Sequence, residues 1–544
     1  ESSHPDLLRH GLDRERHFDR LWVSVEPWPE LVRVVADERR DLQRGDIPMF
    51  TNRVGHLDLW TSAGEQIPGW FKESGLDLSR RLISELGPED LEKQVWIIRA
   101  ALTSLSPESL HAPRPAAPLI EPRSRADREA LLQAAGRIGD RLERIAVRDQ
   151  AGAAWLGLTA VSQRNWSLAP LGVDLYDGLP GVILFLAYLG AGTAEDRYAA
   201  LARAALTPLL QQLERTRSSL TAIGGFNGWG GLIYTLMHLG TLWKDQALID
   251  LAEESVGAVP DLIEQDQDYD VIAGSAGCIG ALLGFYQCTG SPRSLAAAIQ
   301  CGEHLVTSSR PLQVGRGWHG RSLGGVALTG FSHGNAGFAW ALLRLAALTG
   351  RESYRAVALE ALAYERSLFT PTGGWPDLRR FDRPASPDAP GPSITAWCHG
   401  APGIGLGRLG MLPWLDDGDI RAEIQAALEI TLSRGFGQNH SLCHGDLGNI
   451  ELLLAARAVL GDPELEPQIE RWSAVILESL EHQGTRCGVP LEIETPGLMT
   501  GLAGIGYGLL RLAEPSRFPS VLMLAPPVGA AQVPTTRRSV HAYK

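Results

Sequence analysis

Cysteine is scarce in this chain: six residues in 544, at positions 278, 288, 301, 398, 443 and 487. That is too few for a disulfide-built scaffold, and no segment resembles a signal peptide. The thiols are therefore expected in a reducing compartment as free side chains, metal ligands or nucleophiles. Positive charge is also in deficit. Lys and Arg number 50 against 63 Asp and Glu, a formal charge of −13, which argues against a nucleic-acid binder because phosphate recognition needs a basic face. Long hydrophobic runs are missing. The longest, residues 181–192 (GVILFLAYLGAG), falls short of the roughly 18 residues a membrane span needs and reads as a buried helix. An initiating Met is absent too, since the chain opens on Glu1 in a charged segment. The expectation is a piece of a longer, cytoplasmic protein without a transmembrane segment, and a monomer.

Glycine, by contrast, is plentiful, with 60 residues, and its placement organises the chain. Residues 1–106 are rich in Arg, Asp and Glu around a polar loop, RGDIPMFTNR. Five prolines between Pro107 and Pro122 deny a helix its donors and geometry, so 107–123 reads as a linker. From 124 to 525 the apolar residues recur with helical spacing. Residues 526–544 show no such period and are expected to form a flexible tail. Within 124–525 a Gly-x-x-Gly followed by an apolar helix occurs seven times, starting at Gly178, Gly228, Gly274, Gly334, Gly400, Gly445 and Gly501, at spacings of 45 to 66 residues. Each interval leaves room for a helix in, a turn and a helix back, the mark of stacked helical hairpins. The expected fold is all-α, an α/α toroid of about seven hairpins with inner and outer rings. An α-rich or α+β segment precedes it. Closure is favoured over an open solenoid because polar residues stand at similar places before several of the glycine pairs, and a ring brings them to one rim.

Those residues are Asp270 (YDVIAG), His333 (FSHGNAG), Cys398 (WCHGAPG), and Cys443 with His444 (LCHGDLGN). Two thiols and an imidazole suit tetrahedral zinc with the fourth position open, the pattern of a catalytic site. Neighbours on a helix diverge by about 100°, so Cys443 and His444 share an ion only at a turn, which Gly445 supplies. Alternatives stay open at this point. The cysteines could be small buried hydrophobes, or His399 could complete a closed four-ligand shell. His333 could bond helix ends, and Asp270 could cap its helix, as could Asp174 and Asp177. Cys278 reads as core. The proline-rich loop 383–393 is either a rim for a peptide or a plain connection.

The motifs FSHGNAG, WCHGAPGIGLGRLG and LCHGDLGNIELLL, with GLMTGLAGIGYGLLRLA near the end, resemble the LanC-like cyclases of lanthipeptide biosynthesis over roughly residues 125–525. The N-terminal part, with GLDRERHFDRLW and RGDIPMFT, resembles the end of the dehydratase domain of class II (LanM-type) synthetases. The resemblance implies one Zn²⁺ per chain on Cys398, Cys443 and His444. It also implies a precursor peptide carrying a leader, dehydrated Ser/Thr and Cys, whose thiol becomes the fourth ligand. Thiolate addition to dehydroalanine or dehydrobutyrine would follow, with His333 as general acid and Asp270 orienting it. His399 would sit beside the site. The Arg that family members carry shortly before the first cysteine is replaced here by SITAW, and neither Arg408 nor Arg44 substitutes for it by position. Arg44 and Thr51 are weak candidates for a phosphate-elimination site. ATP and Mg²⁺ would serve only an upstream dehydratase part, so dehydration is not expected from this chain alone. Two other functions compete: zinc-dependent alkylation of a peptide thiol such as prenyl transfer, and a non-catalytic thiol-binding scaffold. Glycosidase chemistry, which needs a carboxylate pair, fits these motifs poorly.

Overall fold

A computed structural model describes residues 11–105, 122, 125–150, 152–161, 165–321, 325–379 and 393–529. The expected linker therefore lies outside the described residues apart from Pro122. So do the 383–393 loop apart from Ser393, and residues 530–544 of the expected tail. The chain divides into two compact units, residues 1–95 and 96–544.

The first unit contains helices α1 (Gly11–Phe18) and α2 (Val35–Gln43), an antiparallel ribbon β1 (Leu59–Trp60) with β2 (Gln66–Ile67), and α3 (Gly75–Glu85). Ser74 caps α3 by accepting the Asp77 N–H. Its core is small: Val34, Leu59 and Ile67, with Leu31, Phe50 and Trp70 against them. Arg44 and Thr51 are both exposed.

The boundary falls within α4 (Pro88–Thr103), and the next helix of the second unit is α5 (Arg128–Ile145). Two antiparallel ribbons come next, β3 (Val147–Asp149) with β4 (Gly152–Ala154), and β5 (Leu156–Ala160) with β6 (Trp166–Pro170). Helical hairpins then repeat: α6 (Leu179–Thr193) with α7 (Asp196–Thr216), α8 (Trp229–Trp243) with α9 (Gln246–Val256), and α10 (Ser275–Thr289) with α11 (Pro292–Ser308). After a short ribbon, β7 (Arg310–Pro311) with β8 (Arg316–Gly317), come α12 (Asn335–Thr349) with α13 (Glu352–Ser367). The last pairs are α14 (Ala401–Met411) with α15 (Gly418–Arg434) and α16 (Asp446–Leu460) with α17 (Leu465–Gln483), and then α18 (Leu502–Ala513).

The even-numbered helices from α6 to α18 are apolar nearly all round and therefore buried, for instance every residue of α6 from Leu179 to Gly190. Each packs on the next, and α18 packs back on α6, so the inner ring closes. The odd-numbered helices are amphipathic and form the outer layer. The last hairpin departs from a simple repeat, because the outer partner of α18 is α5, from the other end of the domain. That exchange, with α6 also packed against α5, buries the apolar face of α5 (Leu131, Ala135, Ile138, Leu142).

The glycine pairs make the rim. Gly400 sits at φ +109°, a backbone shape other residues adopt only under strain, and a Cβ there would lie 1.7 Å from the Ile394 carbonyl oxygen. Gly448, the second glycine of its pair, lets the Leu442 carbonyl settle onto α16, where a Cβ would approach to 1.9 Å. With the turns held this close, their backbones bond in a closed circle. Tyr176 N–H donates to the Phe226 carbonyl, Phe226 to Ile272, Val271 to Ser332, Ser332 to Cys398, Cys398 to Cys443, Cys443 to Met499, and Met499 back to Tyr176, at 2.7–3.4 Å. Inside the ring, Leu524 is buried close to Gly225 and Gly280, and the Ala525 carbonyl accepts from His238 Nε2.

Candidate active site

Cys398 and Cys443 both stand two residues before the first glycine of their pair, so both are links in the backbone circle, and Cys398 N–H donates to the Cys443 carbonyl at 3.2 Å. Their side chains are buried. His444 follows in the turn ahead of α16. The donor atoms of Cys398, Cys443 and His444 all lie within 4.8 Å of one another, a group that could hold a metal ion. A hydrogen bond between the two sulfurs, joined by one from His444, holds the Cys398 thiol well below its usual range. The same bond from the other side, together with burial, lifts Cys443. Two soft sulfurs and an imidazole so gathered are a donor set that suits zinc.

Next along the circle, Asp270 Oδ2 and His333 Nδ1 meet at 2.5 Å. Asp270 Oδ1 accepts the Ala273 N–H at 2.7 Å in the turn ahead of α10, whose N-cap is Gly274, so the carboxylate braces that turn instead of capping the helix and pairs with His333 through its other oxygen. Asp266 shapes the turn that presents it, accepting from the Asp268, Tyr269 and Ser275 N–H groups. Ser332, just before His333, is tied to the Cys398 carbonyl through its hydroxyl at 2.9 Å, which joins the turn bearing His333 to the turn bearing Cys398. His399 lies outside the metal-capable group. Its ring stacks on His333, centroids 5.3 Å apart and planes at 22°. A small pocket opens on the pair, lined by Asp270, His333, Trp318, Leu328 and Phe338 among others.

A model of lanthionine synthetase C-like proteins matches residues 169–523. The chain belongs to the lanthionine synthetase C-like family. In this family member a second model, for a domain of unknown function, matches residues 1–53, and the two reproduce the order expected from the sequence. Nisin cyclase has a similar fold, at TM-score 0.51 and 19% identity, with 73% of this chain and 97% of that one covered. The lacticin 481/lactococcin biosynthesis protein LcnDR2 of Lactococcus lactis subsp. lactis is 28% identical over 210 residues, which are 36% of this LanC-like chain and 22% of that protein. The chain thus spans about a fifth of that relative. No helix among the described residues is long and apolar enough to cross a membrane.

Other sequence candidates separate from the site. Cys278 is buried in α10, as expected of core. Arg408 is fully buried and paired with Glu365 at 2.7 Å and Glu423 at 2.5 Å, a bond between the inner α14 and the outer α13 and α15. Asp174 accepts the Asp177 N–H, but Asp177 reaches across to the Thr500 N–H and hydroxyl and so joins the first glycine turn to the last. The sequence reading missed Tyr176, whose hydroxyl donates to Cys443 Sγ at 2.9 Å. Its signal was register: Tyr176 stands two residues before Gly178, where Cys398 and Cys443 stand before Gly400 and Gly445.

Proposed function

We propose that residues 124–525 form a zinc-dependent cyclase that closes lanthionine or methyllanthionine rings in a precursor peptide. Residues 1–106 form the end of a dehydratase region with no dehydration assigned to them. The observation that carries the reading is the gathering of the Cys398, Cys443 and His444 donors within 4.8 Å on a chain of this family. These three residues would hold a zinc ion, which would supply the Lewis acidity that lets a peptide thiol ionise near neutral pH.

The chain's own residues handle the proton. Asp270 engages His333 Nδ1 and leaves Nε2 as the atom that takes a proton from the thiol and later returns it. The sulfur bonds to the β-carbon of dehydroalanine or dehydrobutyrine, the π pair moves to the α-carbon and its carbonyl, and His333 Nε2–H protonates the α-carbon. No group leaves. The apolar walls of Trp318, Leu328 and Phe338 keep water from that carbon.

Metal analysis of the full chain tests this first. About one zinc per chain is expected, and largely none in Cys443→Ala. Incubation with a dehydrated, cysteine-containing peptide should then consume its free thiol without changing its mass. His333→Asn should keep the zinc and lose about 10²- to 10⁴-fold in rate. A zinc-loaded chain that leaves the peptide thiol free would instead mark a scaffold, and a chain without zinc would sink the reading.

A further inference from the structure

We propose that Tyr176 is a positioning residue of the metal centre: its hydroxyl, by hydrogen-bonding Cys443 Sγ, sets how strongly that sulfur donates to a metal. The inference rests on the metal reading above and extends it to a residue 267 positions away in sequence. The contact is 2.9 Å long, short for a sulfur acceptor. It is also built rather than incidental. The backbones of both partners hang on one residue, since Cys443 N–H donates to the Met499 carbonyl and Met499 N–H donates to that of Tyr176. The Tyr176 N–H is itself spent on Phe226, and the adjoining Asp177 is fastened to Thr500. With its backbone held on both sides, the half-buried phenol has two torsions left, and the sulfur fixes them.

A donor on a ligating thiolate withdraws charge from the sulfur lone pairs. The sulfur then gives less to the ion, and the ion keeps more Lewis acidity for a fourth ligand. Partners of this kind orient metal ligands as well as tune them, and losing one typically costs about 10- to 100-fold in affinity or activity.

The experiment uses the full chain, stripped of metal and titrated with Co²⁺, which reports thiolate ligation through its sulfur-to-metal charge-transfer band. Wild type should show the band, and Tyr176→Phe should show it displaced to lower energy, because an unbonded sulfur releases its electrons more readily. Zinc affinity, read by chelator competition, should fall about tenfold, because the loss of the fixed sulfur orientation outweighs the stronger donation of a sulfur without its hydrogen bond. Tyr176→His, which restores a donor, should move the band back toward wild type, a recovery that a purely packing role would not produce. Should Tyr176→Phe not fold, the wild-type chain still decides. Zinc must then perturb its tyrosine absorption, and the perturbation must vanish in Cys443→Ala. A superimposable band in wild type and Tyr176→Phe, or no tyrosine perturbation, overturns the proposal while leaving the metal site standing. A wild-type chain that takes up neither metal overturns the metal reading and this inference together.

Discussion

Asp270 divides its carboxylate between two duties, one oxygen on the Ala273 N–H and the other on His333. An amide can keep the first duty and not the second. Asp270→Asn should therefore fold and hold zinc like the parent, yet form rings about 10²-fold or more slowly, because His333 loses the anion that fixes its tautomer. Parallel metal analysis and single-turnover rates check both halves, and an unchanged rate would leave Asp270 only its bond to the turn. Much of this site was legible residue by residue. Cys398, Cys443, His444, His333 and Asp270 each sit within four positions of a glycine pair, a local pattern. Tyr176 and Asp177 share that register, two and one residues before Gly178, but their partners Cys443 and Thr500 are supplied by the opposite end of the domain, and no local spacing encodes a ring seam.

Among the elements, the turns before the inner helices bear the greatest constraint. In Gly448→Ala the new methyl would meet the Leu442 carbonyl at 1.9 Å. Backbone, unlike a flexible side chain, cannot swing aside, so the turn carrying Cys443 and His444 must shift. The expected result is loss of zinc together with a lower melting temperature. Gly418→Ala is the control: it stands at the first position of outer helix α15 with nothing within 4 Å of the added carbon, and it should be neutral or stabilising by up to about 1 kcal/mol. Equal effects of the two substitutions would contradict this account. The hairpins themselves were readable from glycine spacing and apolar period. The ribbons β3–β4, β5–β6 and β7–β8 were not, being two to five residues long, too short for a period-two pattern to stand out. Nor was the pairing of α5 with α18, because an amphipathic stripe says that a helix needs a partner without saying which.

At the scale of the whole molecule, buried titratable groups pull stability in opposite directions with pH. Burial pushes His238 down to about 3, and burial with the nearby Arg486 charge does the same to His440. The unfolded chain protonates these first, so their contribution is full above about pH 6.5 and drains away as pH falls toward 3. Asp177 and Asp446 are pushed up by burial to about 7. Folded, they keep their protons longer, so their contribution is full below the ordinary carboxylate range and is lost as pH rises through 7. Asp177 is the group to test because it joins the first turn to the last. Asp177→Asn removes its share of the decline, about 1.4 kcal/mol per pH unit at most while the folded carboxyl stays protonated. Its melting temperature relative to the parent should therefore improve between pH 5 and pH 8. A constant difference across that range would place the titration elsewhere.

The exchange by which α5 serves α18 has a topological meaning. Seven equivalent units arranged in a closed ring have no first or last member, and the chain merely enters and leaves at one of the seven junctions. Arg128 and Glu514, on either side of that junction, already touch at 2.5 Å, so a few residues would bridge them. A circularly permuted gene, with the old junction sealed and new termini opened at another outer turn, would encode the same rim. The site would then belong to the circle rather than to any order of reading it.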